Sequence, residues 1–135
     1  MNTSTAMNTR LRQSLLFLAS FTVAAIALGY GVSPRWFAQT LLGVNELDVN
    51  FTHILRAVMG LYLGLATFWL VGAFNKQYRN VALVILMIFS GGLVLGRILS
   101  FLVDGQPSLL LQFYAGIELA VLPVAFWLLQ LREAE

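Results

Sequence analysis

Charged residues, cysteine and histidine are all scarce in this 135-residue sequence, and each scarcity excludes a class of protein. Charged residues make up 10% and apolar residues 59%, against about 25% and roughly 45–50% in ordinary globular chains. So few charges cannot solvate a compact fold in water, which points to a bilayer as the solvent. The absence of cysteine excludes disulfides, thiolate metal sites and iron–sulfur clusters. A single histidine, His53, cannot supply bis-histidine haem ligation or an imidazole-rich metal site.

Basic residues are also few, and they are not clustered. The chain has eight Lys and Arg against six Asp and Glu, a net charge of +2. Nucleic-acid binding needs a concentrated basic face that neutralises phosphates, so we expect no nucleic-acid partner. The length is that of one domain, and we assign residues 1–135 to a single transmembrane domain.

Four long apolar stretches dominate what the sequence does contain. A membrane-spanning helix needs about 20 predominantly apolar residues, and four segments meet that requirement, at about 14–32, 56–75, 80–103 and 109–131. No long alternating pattern indicates strands. The sequence therefore predicts an all-α fold, an integral membrane four-helix bundle. The first stretch follows Arg10 and Arg12 and could instead be a cleaved signal peptide, but its apolar run is longer than a usual signal core.

The connection over residues 33–52 is the longest one, and it contains signals for a further short helix. Ser33-Pro34 is typical of an N-cap followed by proline at the first helical position. Gly43 can end such a helix, and Trp36 and Phe37 are aromatic residues of the kind that favour the membrane–water interface. We expect a short interfacial helix in this loop.

The distribution of basic residues predicts the orientation, because short cytoplasmic loops carry an excess of Lys and Arg. One side of the predicted bundle holds most of them: Arg10, Arg12, Lys76, Arg79 and Arg132. The other side holds only Arg35 outside the spans. We therefore expect both termini in the cytoplasm, with the first loop and the turn at Asp104 outside.

Three charged residues fall inside the predicted spans, where each costs at least about 2.5–3.5 kcal/mol on insertion scales. These are Arg56, Arg97 and Glu118, all in the outer half. Together with Tyr114 they form our candidate ligand-binding set, with His53 and Asp104 at the outer rim. Helical spacing predicts that the side chains of all these residues face the bundle interior, because lipid cannot provide the hydrogen bonds that polar and charged groups need. A purely structural role, in which Arg and Glu join helices, stays open.

Two GxxxG patterns add a prediction about helix packing. Gly60 and Gly64 form the first, and Gly92 and Gly96 form the second. Small residues let helix backbones approach closely in lipid. We expect these glycines to pack within the chain, with dimerisation as the alternative.

Several of these segments together resemble a bacterial family of small four-helix membrane proteins with no known function. The resemblance rests on Arg56 with the glycines that follow it, Gly96-Arg97-Ile98-Leu99-Ser100, Asp104-Gly105-Gln106-Pro107 and Glu118. It runs from about residue 12 to residue 131. That family is similar to DoxX-like proteins, which implies an inner-membrane bundle near quinone-linked oxidoreductases. This chain has no cysteines to carry electrons itself.

The leading functional hypothesis is a binding or accessory protein. It would hold a lipid, quinone or other amphiphile in an outer-half polar pocket, or serve as a small subunit of a membrane complex. The alternative is a small proton-coupled transporter that uses Glu118. An enzyme acting on a lipid is the weakest hypothesis, because no nucleophile–base pair or metal constellation accompanies the charges. We therefore assign no catalytic residues, metal ligands or cofactor, and expect membrane lipid, a larger membrane complex or a homo-oligomer as partners.

Overall fold

The computed structural model describes residues 3–131 and consists of five helices in that range. They are α1 (Thr3–Val32), α2 (Pro34–Leu41), α3 (Val49–Phe74), α4 (Lys76–Val103) and α5 (Leu109–Gln130). No strand occurs within residues 3–131. All except α2 are long and apolar enough to cross a membrane. The predicted all-helical architecture with four spans is confirmed, and the chain is an integral membrane protein.

The helix boundaries follow local sequence signals. Pro34 occupies the start of α2, and Gly43 follows its end with a φ of 70°, a left-handed conformation that glycine adopts without steric cost. Asp48 caps α3, since its side chain accepts a hydrogen bond from the Phe51 backbone N–H at 2.7 Å. Asn75 caps α4 in the same way, accepting from the Gln77 N–H at 2.9 Å. A short helix is therefore present in the first loop, and its position at the membrane interface stays a prediction.

The hydrophobic core lies toward one end of the bundle, where α1 begins, α3 ends and α4 begins. We call this the basic end, after Arg10, Arg12, Lys76 and Arg79. Its buried cluster consists of Leu16, Trp69, Ala73, Ala82, Leu83 and Leu86. By contrast, residues 91–103 of α4 include no buried side chain, and α5 buries only Ala125 and Leu128. The bundle is tightly packed at the basic end and looser at the opposite end.

Helix α1 packs most extensively against α3, whereas α5 packs mainly against α4 and touches α1 only slightly. The α1–α3 contact is close because Gly31 lies directly against Met59, where a Cβ would overlap the methionine side chain. The Ser20 hydroxyl also donates a hydrogen bond to the Ala66 carbonyl at 2.7 Å. The weak α1–α5 contact leaves a gap between two pairs of helices.

Two arginines that the sequence assigns to the loop regions are buried at the basic end. Arg12 is 2% exposed and Arg79 is 3% exposed. Arg12 donates to Asn80 Oδ1 at 2.6 Å and to the carbonyls of Leu129 and Leu131 near the end of α5. Arg79 donates to the Ala73 carbonyl in the last turn of α3 at 3.3 Å. Each cation thus satisfies carbonyls at a helix C-terminus, where the helix dipole favours positive charge.

Arg132 also contributes to the predicted orientation, but it lies outside the described residues.

Candidate functional site

A cavity of about 350 Å³ lies in the gap between the two helix pairs. Most of its wall is apolar, and α1, α4 and α5 supply that wall: Leu15, Leu18, Ala19, Val23, Ile26, Leu86, Phe89, Leu93, Ile117 and Val121. Thr22 and Ser90 are the two small polar residues along it. Leu18 lines the cavity although it is 65% exposed on the surface of α1. The cavity is therefore an elongated cleft that reaches the lateral surface of the bundle.

One end of the cavity is polar, and an ion pair between α4 and α5 forms its centre. Arg97 Nε lies 2.6 Å from Glu118 Oε2, and Arg97 Nη2 donates to Glu118 Oε1 at 2.9 Å. The two side chains are 22% and 14% exposed, respectively. A bidentate pair of this kind is shorter and stronger than a neutral hydrogen bond. The pairing expected from two charges inside apolar spans is present.

Three tyrosines from three different helices surround this ion pair. Tyr114 lies one turn before Glu118 on α5, while Tyr30 comes from α1 and Tyr62 from α3. The rings of Tyr30 and Tyr62 have centroids 6.2 Å apart, and Tyr62 makes an edge contact with Phe89 at 5.1 Å. None of the three hydroxyls is hydrogen-bonded to a residue within 3–131. Each of these hydroxyls can donate one hydrogen bond and accept another.

Arg56 does not join the residues with which the sequence grouped it. Its side chain is exposed, and it does not line the cavity. The face of α3 that points inward carries Leu55, Tyr62, Ala66 and Trp69 instead. Arg56 lies seven residues from the start of α3, about 10 Å along the helix, so its long side chain can extend to the polar boundary. The prediction that Arg56 faces the bundle interior is wrong.

The two rim residues are likewise exposed and separate from the ion pair. His53 is on the outward face of α3. Asp104 accepts a hydrogen bond from the Ser100 hydroxyl at 2.7 Å, one turn earlier on its own helix. Among the charged residues of the candidate set and its rim, the ion pair in the described chain is therefore that of Arg97 and Glu118.

The glycines of the two GxxxG patterns do not mediate packing within the described chain. A Cβ placed on Gly60, Gly64, Gly92 or Gly96 would meet no neighbouring heavy atom within 4 Å. The close helix contacts instead depend on Gly31 and Gly72. At Gly72 a Cβ would overlap that of Ala82 on α4. Periodic spacing alone cannot identify which face of an apolar helix meets its neighbour, and packing of the four glycines against a second chain stays a prediction.

The comparison with protein families gives a match over most of the chain. The family described as a domain of unknown function, DUF4345, matches residues 11–129. The chain belongs to the DUF4345 family. This match confirms the resemblance to a family of unknown function. No curated protein and no solved structure matches the chain.

Sequence reasoning about this DUF4345 protein missed Tyr30 and Tyr62. A signal was available for Tyr62, because it lies seven residues after the buried Leu55 and seven before the buried Trp69, a helical repeat that places all three on one face. Tyr30 had no comparable signal, since α1 is apolar on all sides. Only the packing of α1 against α3 brings these two hydroxyl-bearing rings to the Arg97–Glu118 pair.

The polar groups of this DUF4345 site are of two kinds, charged side chains and hydroxyls. The cavity lining contains two charges that compensate each other, three phenols and two aliphatic hydroxyls. Within residues 3–131, no group of three or more His, Asp or Glu side chains could hold a metal ion. A polar end joined to a long apolar wall matches a molecule with a polar head and an apolar tail.

Proposed function

We propose that this protein binds an amphiphile, a lipid or a quinone, within the membrane. The observation that carries the proposal is the cavity itself, with the Arg97–Glu118 pair and three tyrosines at one end and aliphatic side chains along the rest. Ligand sites are usually clefts of about 300–1,000 Å³ with mostly apolar walls and a few convergent polar groups. The cavity has that character, and its wall reaches the lipid-facing surface at Leu18.

Lateral entry from the bilayer supports the same proposal. Helix α5 touches α1 only slightly, and most of α5 is not buried. A hydrophobic ligand could pass between these two helices without leaving the hydrocarbon layer. At the basic end the Arg12 contacts to the α5 carbonyls hold the two helices together, so we place the entry route away from that end.

The alternative of a proton-coupled transporter that uses Glu118 fits the geometry less well. A carboxylate that carries protons must exchange them with water on both sides of the membrane. Both Glu118 oxygens instead accept hydrogen bonds from Arg97, and the side chain is 14% exposed. A role as a small subunit of a larger membrane complex is compatible with ligand binding, and co-purification from native membranes would identify such a complex.

The membrane placement is part of the same proposal. We place both termini in the cytoplasm of a bacterial cell, with the polar end of the cavity in the outer half of its inner membrane. Helix α2 would then lie on the outer surface, with Phe37 and Ala38 against the bundle and Trp36, which is 57% exposed, at the interface. A relationship to DoxX-like proteins would agree with this placement.

Native mass spectrometry of protein extracted in mild detergent tests the proposal. We expect a bound amphiphile in wild type and its loss in Thr22→Phe, which places an aromatic ring in the cavity. Ala25→Phe is the matched control on the same helix, because Ala25 is exposed and outside the cavity lining. Arg56→Ala should also retain the ligand. Bulk phospholipid alone, unaffected by Thr22→Phe, would refute the binding proposal.

A further inference from the structure

The polar end of the cavity has no net charge, although its most prominent groups are ionic. Arg97 and Glu118 neutralise each other through two direct hydrogen bonds. The other polar groups of the cavity lining are hydroxyls: Thr22, Tyr30, Tyr62, Ser90 and Tyr114. A ligand head at this end therefore meets a compensated pair and not an uncompensated cation.

The hydrogen-bonding capacity that remains at this end includes several donors. A guanidinium carries five N–H donors in a rigid fork, and Glu118 engages the Nε and Nη2 atoms. Arg97 Nη1 makes no hydrogen bond to any residue in the described part of the chain. The three phenol hydroxyls around it can each donate as well. Several donors thus converge where the charge is already balanced.

An anionic head would be poorly accommodated at this position. It would have to displace Glu118 from Arg97, or lie beside the Glu118 carboxylate in a largely buried site. Displacement would leave Glu118 as an uncompensated charge, which is costly in a low-dielectric interior. An uncharged head with carbonyl oxygens can accept from Nη1 and the phenols without disturbing the ion pair.

The dimensions of the cavity limit the apolar part of the ligand. On α1 the lining runs from Leu15 to Tyr30, roughly 22 Å at the helical rise of about 1.5 Å per residue. The volume of about 350 Å³ is near the lower end of the ~300–1,000 Å³ range of ligand sites. A long and narrow cleft of this kind suits one extended chain better than the two chains of a phospholipid.

We propose that the ligand is a single-chain amphiphile whose uncharged head accepts hydrogen bonds through carbonyl oxygens. This inference rests on the proposed binding function and specifies its ligand class. The same chemistry occurs in a prenylated or alkylated quinone and in a monoacyl ester of glycerol. Separate arms of the test therefore examine these two sources.

Competition between probes in nanodiscs tests the inference. The probes are monopalmitoylglycerol, a decyl-substituted benzoquinone and hexadecyl phosphate, which is the anionic comparison. Binding of each probe is measured by native mass spectrometry. We expect wild type to bind at least one uncharged probe about ten-fold or more tightly than hexadecyl phosphate, a difference of about 1.4 kcal/mol. The uncharged probe that binds identifies the source.

Charge variants provide the decisive comparison. Glu118→Gln keeps the side-chain shape but leaves Arg97 uncompensated, so the preference should shift toward hexadecyl phosphate. The double variant Arg97→Gln/Glu118→Gln has no net charge again and should return the preference to the uncharged probe. A matched control is Arg56→Gln, which removes an exposed cation outside the cavity and should leave the preference unchanged.

The outcomes separate this inference from the proposed function. Preferential binding of hexadecyl phosphate by wild type, blocked by Thr22→Phe, would overturn the uncharged-head inference and leave amphiphile binding intact. Binding of no probe above the level of the Thr22→Phe variant would refute both. The wild-type competition decides the question even if a charge variant fails to fold.

Discussion

Loss of one member of the Arg97–Glu118 pair should destabilise the protein far more than loss of both. The two hydrogen bonds measure 2.6 Å and 2.9 Å, and the side chains are 22% and 14% exposed. Arg97→Leu or Glu118→Leu alone leaves its partner as an uncompensated, mostly buried charge, which costs about 3 kcal/mol. The double leucine variant removes both charges and should stay within about 1 kcal/mol of wild type.

The free energy of unfolding of the four proteins can be measured by SDS titration in mixed micelles, followed by tryptophan fluorescence. Trp69 reports on the core because its side chain is fully buried. We expect a coupling energy of at least about 2 kcal/mol between the two positions. The exposed Arg56 serves as control, and Arg56→Leu should change stability by less than about 0.5 kcal/mol. Losses that simply add would refute the pairing, as would an Arg97→Leu effect no larger than that of Arg56→Leu.

Two further predictions concern topology and helix packing. The chain has no native cysteine, so single cysteines can be placed at Asn45, Gln77 and Gln106. In intact cells an impermeant maleimide should label the cysteines at positions 45 and 106 but not the one at position 77. The reverse labelling pattern would invert the proposed orientation. Gly72→Ala should lower the free energy of unfolding by about 1–3 kcal/mol through overpacking against α4, whereas Gly64→Ala should be neutral or stabilising by up to about 1 kcal/mol. If Gly72→Ala and Gly64→Ala changed the free energy of unfolding equally in the same SDS titration, that result would contradict the close contact at Gly72.

The number and nature of the long helices could be predicted from sequence because the cause is local. An apolar stretch that crosses a bilayer must satisfy its backbone hydrogen bonds internally, and a helix does so within a single segment. The start of α2 at Pro34 and the turns at Gly43 and Gly105 also depend on local backbone preferences. The helices extend beyond the ends of the predicted apolar spans; α1, for example, begins at Thr3. Hydrophobicity indicates which residues cross the membrane, but it does not indicate where the helical hydrogen bonds end.

The central ion pair could also be anticipated from sequence, since a charge inside an apolar span needs a partner. Arg97 and Glu118 lie on adjacent helices joined by a short turn, which brings them together in an antiparallel pair. The same argument failed for Arg56. It lies close enough to the start of α3 for its side chain to reach polar surroundings, so no partner inside the bundle is required.

Only the tertiary structure decided which faces of the helices meet. In water a polar stripe marks the outside of a helix, but lipid is as apolar as a protein core, so an apolar helix carries little information about its orientation. The inward position of Tyr30 and Tyr62, the burial of Arg12 against the end of α5 and the outward position of Gly64 all depend on packing between helices. The sequence by itself therefore determined the spans and the charge pair, whereas close packing between helices that are apolar on every side determined the cavity.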